Sequence, residues 1–112
     1  MQKLPADSRM KRYASHRLYE ASGRYQGQSV VTLDHDGTVV ECAPLTSETP
    51  ATEWLGGVIV LSGRSTIQLD GSLQATFDCL FSGDEPKRYA WHISAFDFQQ
   101  GIPLPGCIIR RL

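Results

Sequence analysis

The chain has 112 residues, of which 41% are apolar and 21% charged, and its net charge is −1. This length suits one domain, and the composition is that of an ordinary globular protein, which excludes a disordered tail, a collagen-like fibre and a coiled coil. The longest aliphatic run, residues 58–61, is far shorter than the roughly 20 residues of a membrane helix. A net charge near zero gives no general attraction to nucleic acid. We therefore expect neither a membrane nor a nucleic acid as partner.

The charge is unevenly distributed along the chain. Residues 1–25 sum to +4, residues 26–86 to −8 and residues 87–112 to +3. Because chain termini often lie close together, the two basic ends would form a positive patch beside an acidic middle. Such a surface is suited to self-association. The alternative is an ordinary polar surface whose ends happen to be basic.

The cysteines and the N-terminus predict a cytoplasmic protein. The first eight residues contain no apolar segment of the kind found in a secretory signal. The cysteines, Cys42, Cys79 and Cys107, are odd in number and form no Cys-x-x-Cys motif. Disulfide frameworks and zinc ribbons need a different arrangement, so we expect reduced and mostly buried thiols.

Strand patterns recur along the chain, whereas no stretch of 11 or more residues has apolar side chains at helical spacing. Short apolar runs separated by Gly, Asp, Ser and Pro predict an all-β domain at residues 11–112, preceded by a flexible arm at residues 1–10. We expect a small, mainly antiparallel β-sandwich or squashed barrel. In chain order, the eight predicted strands are 12–20, 28–34, 38–43, 57–62, 65–69, 73–81, 87–96 and 107–112.

The dipeptide Asp36-Gly37 predicts a hairpin between the second and third strands. As a two-residue loop it places Leu33 opposite Val40 and Val31 opposite Cys42, so that all four side chains share one face. A three-residue loop would separate the apolar side chains between the two faces. The apolar pattern therefore favours the two-residue turn, of type I′.

Two further elements have distinctive patterns. The strand at 57–62 has no polar alternation, which predicts burial on both faces. Residues 73–81 alternate apolar and polar side chains, which predicts a half-buried strand. Between the strands at 65–69 and 73–81, Asp70-Gly71 would form a bulged turn with Gly71 in the left-handed conformation.

The densest cluster of potential ligands is Asp34-His35-Asp36. Hard cations bind carboxylates that project from neighbouring turn positions. The same Asp-x-Asp-Gly sequence also serves a hairpin turn for purely conformational reasons, and we favour that interpretation. The three residues remain candidate contacts for a ligand or partner, and no metal site is predicted.

Trp54 is the other candidate contact, because it stands just before a double glycine. It could be a stacking platform for a ligand, but we favour a side chain that plugs one end of the sandwich or barrel. The loops at 44–56 and 97–105 are the main segments not assigned to strands. If the protein has a binding site, it is expected there.

No catalytic motif is present: the chain has no phosphate-binding glycine loop, no His-Glu-x-x-His and no Gly-x-Ser-x-Gly. We therefore predict no catalytic residue and no cofactor. Catalysis by residues from separate loops would require a pocket that holds His16, His35 or His92 beside a carboxylate.

The partner prediction follows from these exclusions. The edges of an open sheet must be covered, and pairing with another chain is one way to cover them. We expect a non-catalytic module that acts through association with itself or with another protein. The alternative is a small-molecule or metal-binding domain.

One face of the predicted first strand could stack on bases, because it presents Tyr13, Arg17 and Tyr19. The acidic middle of the chain argues against nucleic acid.

Residues 12–63 loosely resemble the N-terminal part of the small β-sandwich domain of metal-dependent amidohydrolases. The resemblance rests on the segments QSVVTLD (28–34), DGTVVE (36–41) and LGGVIVLSG (55–63). It implies a β-sandwich. In that family the last segment leads into a His-x-His metal site, whereas here it leads into Arg64-Ser65-Thr66, so neither the metal nor the hydrolase activity is implied. The segment TEWLGG (52–57) is also similar to one in short, stand-alone bacterial proteins of unknown function.

Overall fold

The computed structural model describes residues 10–46, 51–68 and 71–112. Of the predicted arm at residues 1–10, only Met10 lies within this part of the chain. The elements are β1 (Lys11–Ser15), β2 (Arg17–Ala21), β3 (Arg24–Gln26), β4 (Ser29–Leu33), β5 (Val39–Pro44), β6 (Thr52–Trp54), β7 (Val58–Ser62), α1 (Leu73–Leu80), β8 (Tyr89–Ile93), β9 (Phe96–Asp97), β10 (Ile102–Pro103) and β11 (Ile109–Arg111).

The strands form two main sheets and a small hairpin. The front sheet has the order β5-β4-β1-β6, and the central sheet has the order β11-β8-β7-β2-β3, while β9 pairs with β10. Only β1–β6 and β2–β7 are parallel pairs among the described strands. Neither order closes into a ring within the described residues. The predicted all-β, mainly antiparallel sandwich is confirmed, and the barrel alternative is not.

The central sheet is covered on both faces. On one face, Leu18, Ile59 and Ala90 pack against Val31 and Leu33 of the front sheet, and this cluster is the inner core. On the other face, the central sheet packs against α1 and the start of β9. This outer core consists of Tyr19, Val58, Val60, Phe77, Leu80, Trp91, Ile93, Phe96 and Ile109. Alternate residues of β7 therefore enter different cores, which confirms the predicted burial of that strand on both faces.

The predicted first strand, 12–20, is two strands in different sheets. β1 ends at Ser15 and β2 begins at Arg17. At the break, the backbone N–H of His16 donates to the Gly57 carbonyl at 3.1 Å. The chain crosses between the sheets a second time from β6 to β7, through Gly57, where an added Cβ would lie only 2.1 Å from the Ile93 carbonyl oxygen. A side chain cannot be accommodated there, so this crossing requires glycine.

The hairpin between β4 and β5 contains both of the registers considered from the sequence. Val31 lies opposite Cys42, as the two-residue loop predicts, but Leu33 lies opposite Val39 and not Val40. The register shift leaves Val40 half exposed on the edge strand. The loop itself has three residues with Gly37 at φ +86°, which is the usual combination of a type I turn with a left-handed residue. The prediction of a two-residue type I′ turn was therefore wrong.

The predicted strand at 73–81 is the helix α1. The Ser72 hydroxyl caps it by accepting a hydrogen bond from the Ala75 N–H at 3.0 Å. Its most buried positions, Thr76, Phe77 and Leu80, follow helical spacing. The bulged turn before it is not a hairpin: Asp70 lies outside the described residues, and Gly71 (φ +111°) leads into the helix cap.

Two other predicted strands also differ from the structure. Residues 65–68 form no strand, and residue 69 is not described. The predicted strand at 87–96 ends at Ile93, because the chain turns there and begins β9 at Phe96. The segment predicted to be irregular, 97–105, contains β10, which pairs with β9 through Ile102 and Asp97.

A candidate binding site: the aromatic–arginine surface

The cluster Asp34-His35-Asp36 forms a turn whose carboxylates bond to the turn itself. Asp34 Oδ1 accepts from the backbone N–H of Asp36 at 3.1 Å and of Thr38 at 3.2 Å. The Thr38 hydroxyl lies 2.9 Å from a carboxylate oxygen of both aspartates. We call residues 34–38 the acidic turn. Its oxygens stabilise a loop conformation, as the conformational interpretation predicted.

The acidic turn lacks a poised acid–base pair. His35 and both aspartates do line one cavity of about 320 Å³, so a histidine does lie beside carboxylates. However, His35 is not hydrogen-bonded to either carboxylate in the described part of the chain. Hydrogen bonding with the Asp34 carboxyl and then with Thr38 holds the pKa of Asp36 far below its usual range, so it is a very weak base. Among the described residues, no group of three or more His, Cys, Asp or Glu side chains is placed to hold a metal ion.

The acidic turn also brings the basic ends of the chain to the acidic middle. Lys87 Nζ lies 3.5 Å from Asp36 Oδ2. Lys11 and Arg111 line the same cavity as the two aspartates. The opposite charges seen along the sequence therefore meet partly within one molecule, which weakens the case for self-association driven by charge.

Trp54 lies on the surface beside the first strand crossing. It ends β6, the edge strand of the front sheet, and 47% of it is exposed. The ring of His16, at the break between β1 and β2, meets the Trp54 ring edge-on at 4.8 Å. The prediction that Trp54 plugs one end of the sandwich is therefore wrong. The parallel pairing of β1 with β6 places these two rings together.

The ring contacts continue from His16 across the central sheet. The ring centre of Phe98, from the segment 97–105, lies 5.5 Å from the ring centre of His16. The Arg17 guanidinium carbon lies 5.1 Å from the Phe98 ring centre and 4.1 Å from that of Tyr25 on β3. These distances allow cation–π contacts with both rings. We call the row formed by Trp54, His16, Phe98, Arg17 and Tyr25 the aromatic–arginine surface.

Arg17 is held in place by hydrogen bonds as well as by rings. Its Nη2 donates to the Phe98 carbonyl at 2.8 Å, and its Nη1 donates to the Tyr19 hydroxyl at 3.3 Å. No described carboxylate lies within ion-pair distance of Arg17. Arg17 is therefore a positioned guanidinium to which the described residues supply no counter-charge.

A groove of about 440 Å³ lies against this surface. Arg17, Tyr25 and Phe98 form one part of its lining, and Gln74 and Asp78 of α1 form another. Its floor includes Tyr19 and Phe77 of the outer core, whose rings lie 5.5 Å apart. The volume is within the range of about 300–1,000 Å³ that is typical of ligand sites.

The strand beside the groove is an open edge. β3 ends the strand order of the central sheet, and all three of its residues are exposed. Beyond its pairing with β2, no described strand covers it. An exposed edge offers backbone N–H and C=O groups to another chain.

His92 lies inside the protein and not on its surface. It faces the front sheet from β8, is 6% exposed, and its Nε2 donates to the Gly56 carbonyl at 3.2 Å. Burial lowers its pKa, and the positive charge of Arg110 on the neighbouring strand acts in the same direction. His92 is therefore a neutral side chain that supports the second strand crossing.

The three thiols are free and half-buried. Burial raises the pKa of both Cys42 and Cys107, so these side chains remain thiols at neutral pH. Cys79, expected on the apolar face of a strand, lies instead on α1, with partial exposure.

Comparison with known proteins adds no family. No family model matches the chain, and neither a curated protein nor a solved structure matches it. The resemblance to the amidohydrolase β domain therefore stays a prediction. Within the described ranges, no helix is long and apolar enough to cross a membrane.

Of the four candidate contacts chosen from the sequence, only Trp54 lies on the aromatic–arginine surface, and the other three form the acidic turn. The sequence pointed to neither Tyr25 nor Phe98 as a contact, and it offered His16 only as a histidine for catalysis beside a carboxylate. For Phe98 the sequence did contain one signal. It is an aromatic residue in a segment whose glycine and prolines prevent its assignment to the buried face of a strand. His16 and Tyr25 gave no such signal, since their grouping depends on the strand crossing and on the sheet order.

Proposed function

We propose that this protein is a non-catalytic association module that binds a polypeptide partner through the aromatic–arginine surface. One observation carries the proposal: three half-exposed aromatic side chains, Trp54, Phe98 and Tyr25, lie in one row with Arg17. Tryptophan, tyrosine and arginine are enriched at protein interfaces and dominate their energetics.

Two features of the surroundings support a polypeptide occupant. The groove is open and has both aromatic and amide-bearing lining residues. The edge of β3 beside it has unpaired backbone groups of the kind that take up an added strand.

The three free thiols support a reducing compartment, so we propose that the module is cytoplasmic.

The experiment compares matched truncations of exposed apolar side chains. Trp54→Ala and Phe98→Ala alter the proposed surface. Val40→Ala is the control, because Val40 is 50% exposed but lies on β5, at the opposite edge of the front sheet from Trp54. Sedimentation over a wide concentration range measures self-association, and selection of displayed random peptides on the immobilised protein measures binding of other chains.

We expect a concentration-dependent dimer, or a set of selected peptides, that Val40→Ala retains and that both surface variants lose by about tenfold or more. A strictly monomeric protein that enriches no peptide would contradict the proposal. So would binding that is weakened equally by Val40→Ala.

A small-molecule site in the same groove is the second candidate function. The volume of about 440 Å³ and the aromatic lining favour it. A thermal-shift screen against a broad compound library distinguishes the two. Compounds that raise the melting temperature of the native protein but not of Phe98→Ala would favour a small-molecule site.

A further inference from the structure

We propose that Arg17 makes the aromatic–arginine surface selective for a carboxylate on the bound segment, one that lies next to an aromatic residue. This inference rests on the proposed function and specifies the chemistry of its occupant. The occupant is an extended peptide segment with an aspartate or glutamate, whose side chain would bond to the Arg17 guanidinium.

Arg17 has hydrogen-bonding capacity that the described residues do not use. A guanidinium has five N–H donors in a rigid plane. The Phe98 carbonyl and the Tyr19 hydroxyl accept from two of them, and the others have no partner among the described residues. A planar fork with free donors matches the two oxygens of a carboxylate.

The described acidic side chains near Arg17 do not neutralise it. Glu20, on the same strand, is engaged by Arg24 at 3.4 Å and by the amide of Gln26. Asp78, across the groove, accepts from the Gln74 amide at 2.9 Å and forms no ion pair with Arg17. Within the described part of the chain, the positive charge of Arg17 is therefore not neutralised and can attract a ligand carboxylate.

The Arg17 side chain is already ordered before any ligand binds. Two rings and two hydrogen bonds hold the guanidinium. An arginine is ordinarily mobile, and fixing it on binding costs free energy. Here the guanidinium is already fixed in the folded protein, and the adjacent Phe98 and Tyr25 side chains are 37% and 49% exposed, so that they can contact an aromatic neighbour of the carboxylate.

The test uses two acetylated dipeptide amides that differ only in charge. Acetyl-Asp-Phe-amide has the proposed carboxylate and aromatic ring, and acetyl-Asn-Phe-amide is its neutral isostere. Each is titrated into ¹⁵N-labelled native protein, and the affinities are taken from chemical shifts of β2, β3 and the segment 97–105. Because the control is on the ligand, the comparison does not depend on a variant that could fail to fold.

We expect the acidic dipeptide to bind about fivefold more tightly than the neutral one. Arg17→Gln should reduce this ratio to about one, and Arg17→Lys should leave an intermediate ratio, since lysine keeps the charge but loses the planar fork. A role of Arg17 in stability alone would weaken both dipeptides equally and leave the ratio unchanged.

Three outcomes would overturn the inference. Equal affinity of the two dipeptides would show that Arg17 does not recognise a carboxylate. The proposed function would then depend on the aromatic rings alone. Inorganic phosphate that shifts the Arg17 region while neither dipeptide does would show a site for a free anion. Shifts outside the groove would place the acidic dipeptide elsewhere. Failure of the proposed function itself is seen separately, in the sedimentation and display measurements.

Discussion

The acidic turn and the aromatic–arginine surface differ in where their polar atoms find partners. In the acidic turn, the carboxylates of Asp34 and Asp36 accept hydrogen bonds from the backbone and from Thr38. On the aromatic–arginine surface, Arg17 keeps free donors and Trp54 keeps about half of its area exposed. The denser cluster of chemically active residue types is thus the one that is used for folding. Unsatisfied capacity, and not residue type, marks the better candidate for binding.

Within the acidic turn, the largest effect is expected for Asp34→Ala. Loss of the carboxylate removes the side-chain acceptor of the Asp36 N–H, and it leaves the Thr38 N–H with only the Asp36 carboxylate as a side-chain acceptor. We expect the free energy of unfolding to fall by about 1–2 kcal/mol, as for the loss of a helix N-cap. Urea denaturation measures it. Asp84→Ala is the matched control, since Asp84 is exposed and has no described partner; an equal loss in both variants would refute a structural role for the acidic turn.

A slightly smaller effect is expected for Gly37→Ala. Gly37 has φ +86°, and an added Cβ would meet only the Leu112 carbonyl oxygen, at an ordinary 3.5 Å. The cost therefore arises from backbone strain and should be about 1 kcal/mol. Gly27→Ala is the control, because Gly27 has neither a positive φ nor any atom within 4 Å of the added Cβ. It should be neutral or slightly stabilising, and a similar loss there would exclude the strain argument.

The hairpin shows how far apolar patterning could predict register. The pattern correctly paired Val31 with Cys42, because burial against the inner core fixes which face each side chain occupies. It failed next to the turn, where Val40 leaves the ladder. A local bulge depends on loop conformation and on the hydrogen bonds of the Asp34 carboxylate. The alternation of apolar and polar residues predicts neither the loop conformation nor these hydrogen bonds.

The helix α1 was missed because its sequence fits two patterns. Leu73 and Phe77 belong both to an alternating strand and to a helix with a four-residue spacing. Eight residues are too few for a periodicity test of 11 residues to separate them. Ser72 at the N-cap was the distinguishing signal.

The candidate site could be predicted only in part. The segments 44–56 and 97–105 were identified as the places for a site, and they contain Trp54 and Phe98. Trp54 and Phe98 belong to the same surface as Arg17 because the chain breaks at His16, which sends β1 and β2 into different sheets. Tyr13 accordingly packs against the inner core and Tyr19 belongs to the outer core, so they do not share a face as predicted. Such long-range placement is a property of the topology and not of any local pattern.

The burial of His92 predicts a pH dependence of the free energy of unfolding. Burial lowers the pKa of His92 in the folded protein, so the unfolded chain takes up its proton first as the pH falls below about 6.5. The free energy of unfolding should therefore decline from that pH downwards, until the folded protein is protonated as well. His92→Gln, which can still donate to the Gly56 carbonyl, should flatten this part of the profile.

Denaturation at a series of pH values measures the effect of His92, and His35→Gln is its control. His35 is exposed in the acidic turn, so its replacement should retain the decline seen in the native protein. If His92→Gln kept the whole decline, another group would be responsible for it.

The smallest effect on stability is expected for Trp54→Ala. Trp54 is 47% exposed and contacts His16 edge-on, so its removal should change the free energy of unfolding by less than about 1 kcal/mol. The other tryptophan, Trp91, is 7% exposed and donates to the Arg64 carbonyl at 2.9 Å, and Trp91→Ala should cost about 3–5 kcal/mol.

Fluorescence measures the same contrast without unfolding, because the chain has only these two tryptophans. In Trp91→Phe the remaining emission comes from Trp54 and should be strongly quenched by acrylamide, whereas the emission of Trp54→Phe should be protected. Binding of a partner at the aromatic–arginine surface should then reduce the quenching of Trp54. Equal quenching of the two variants would mean that Trp54 is not available to a partner, which would remove it from the proposed site and leave binding to Arg17, Phe98 and Tyr25.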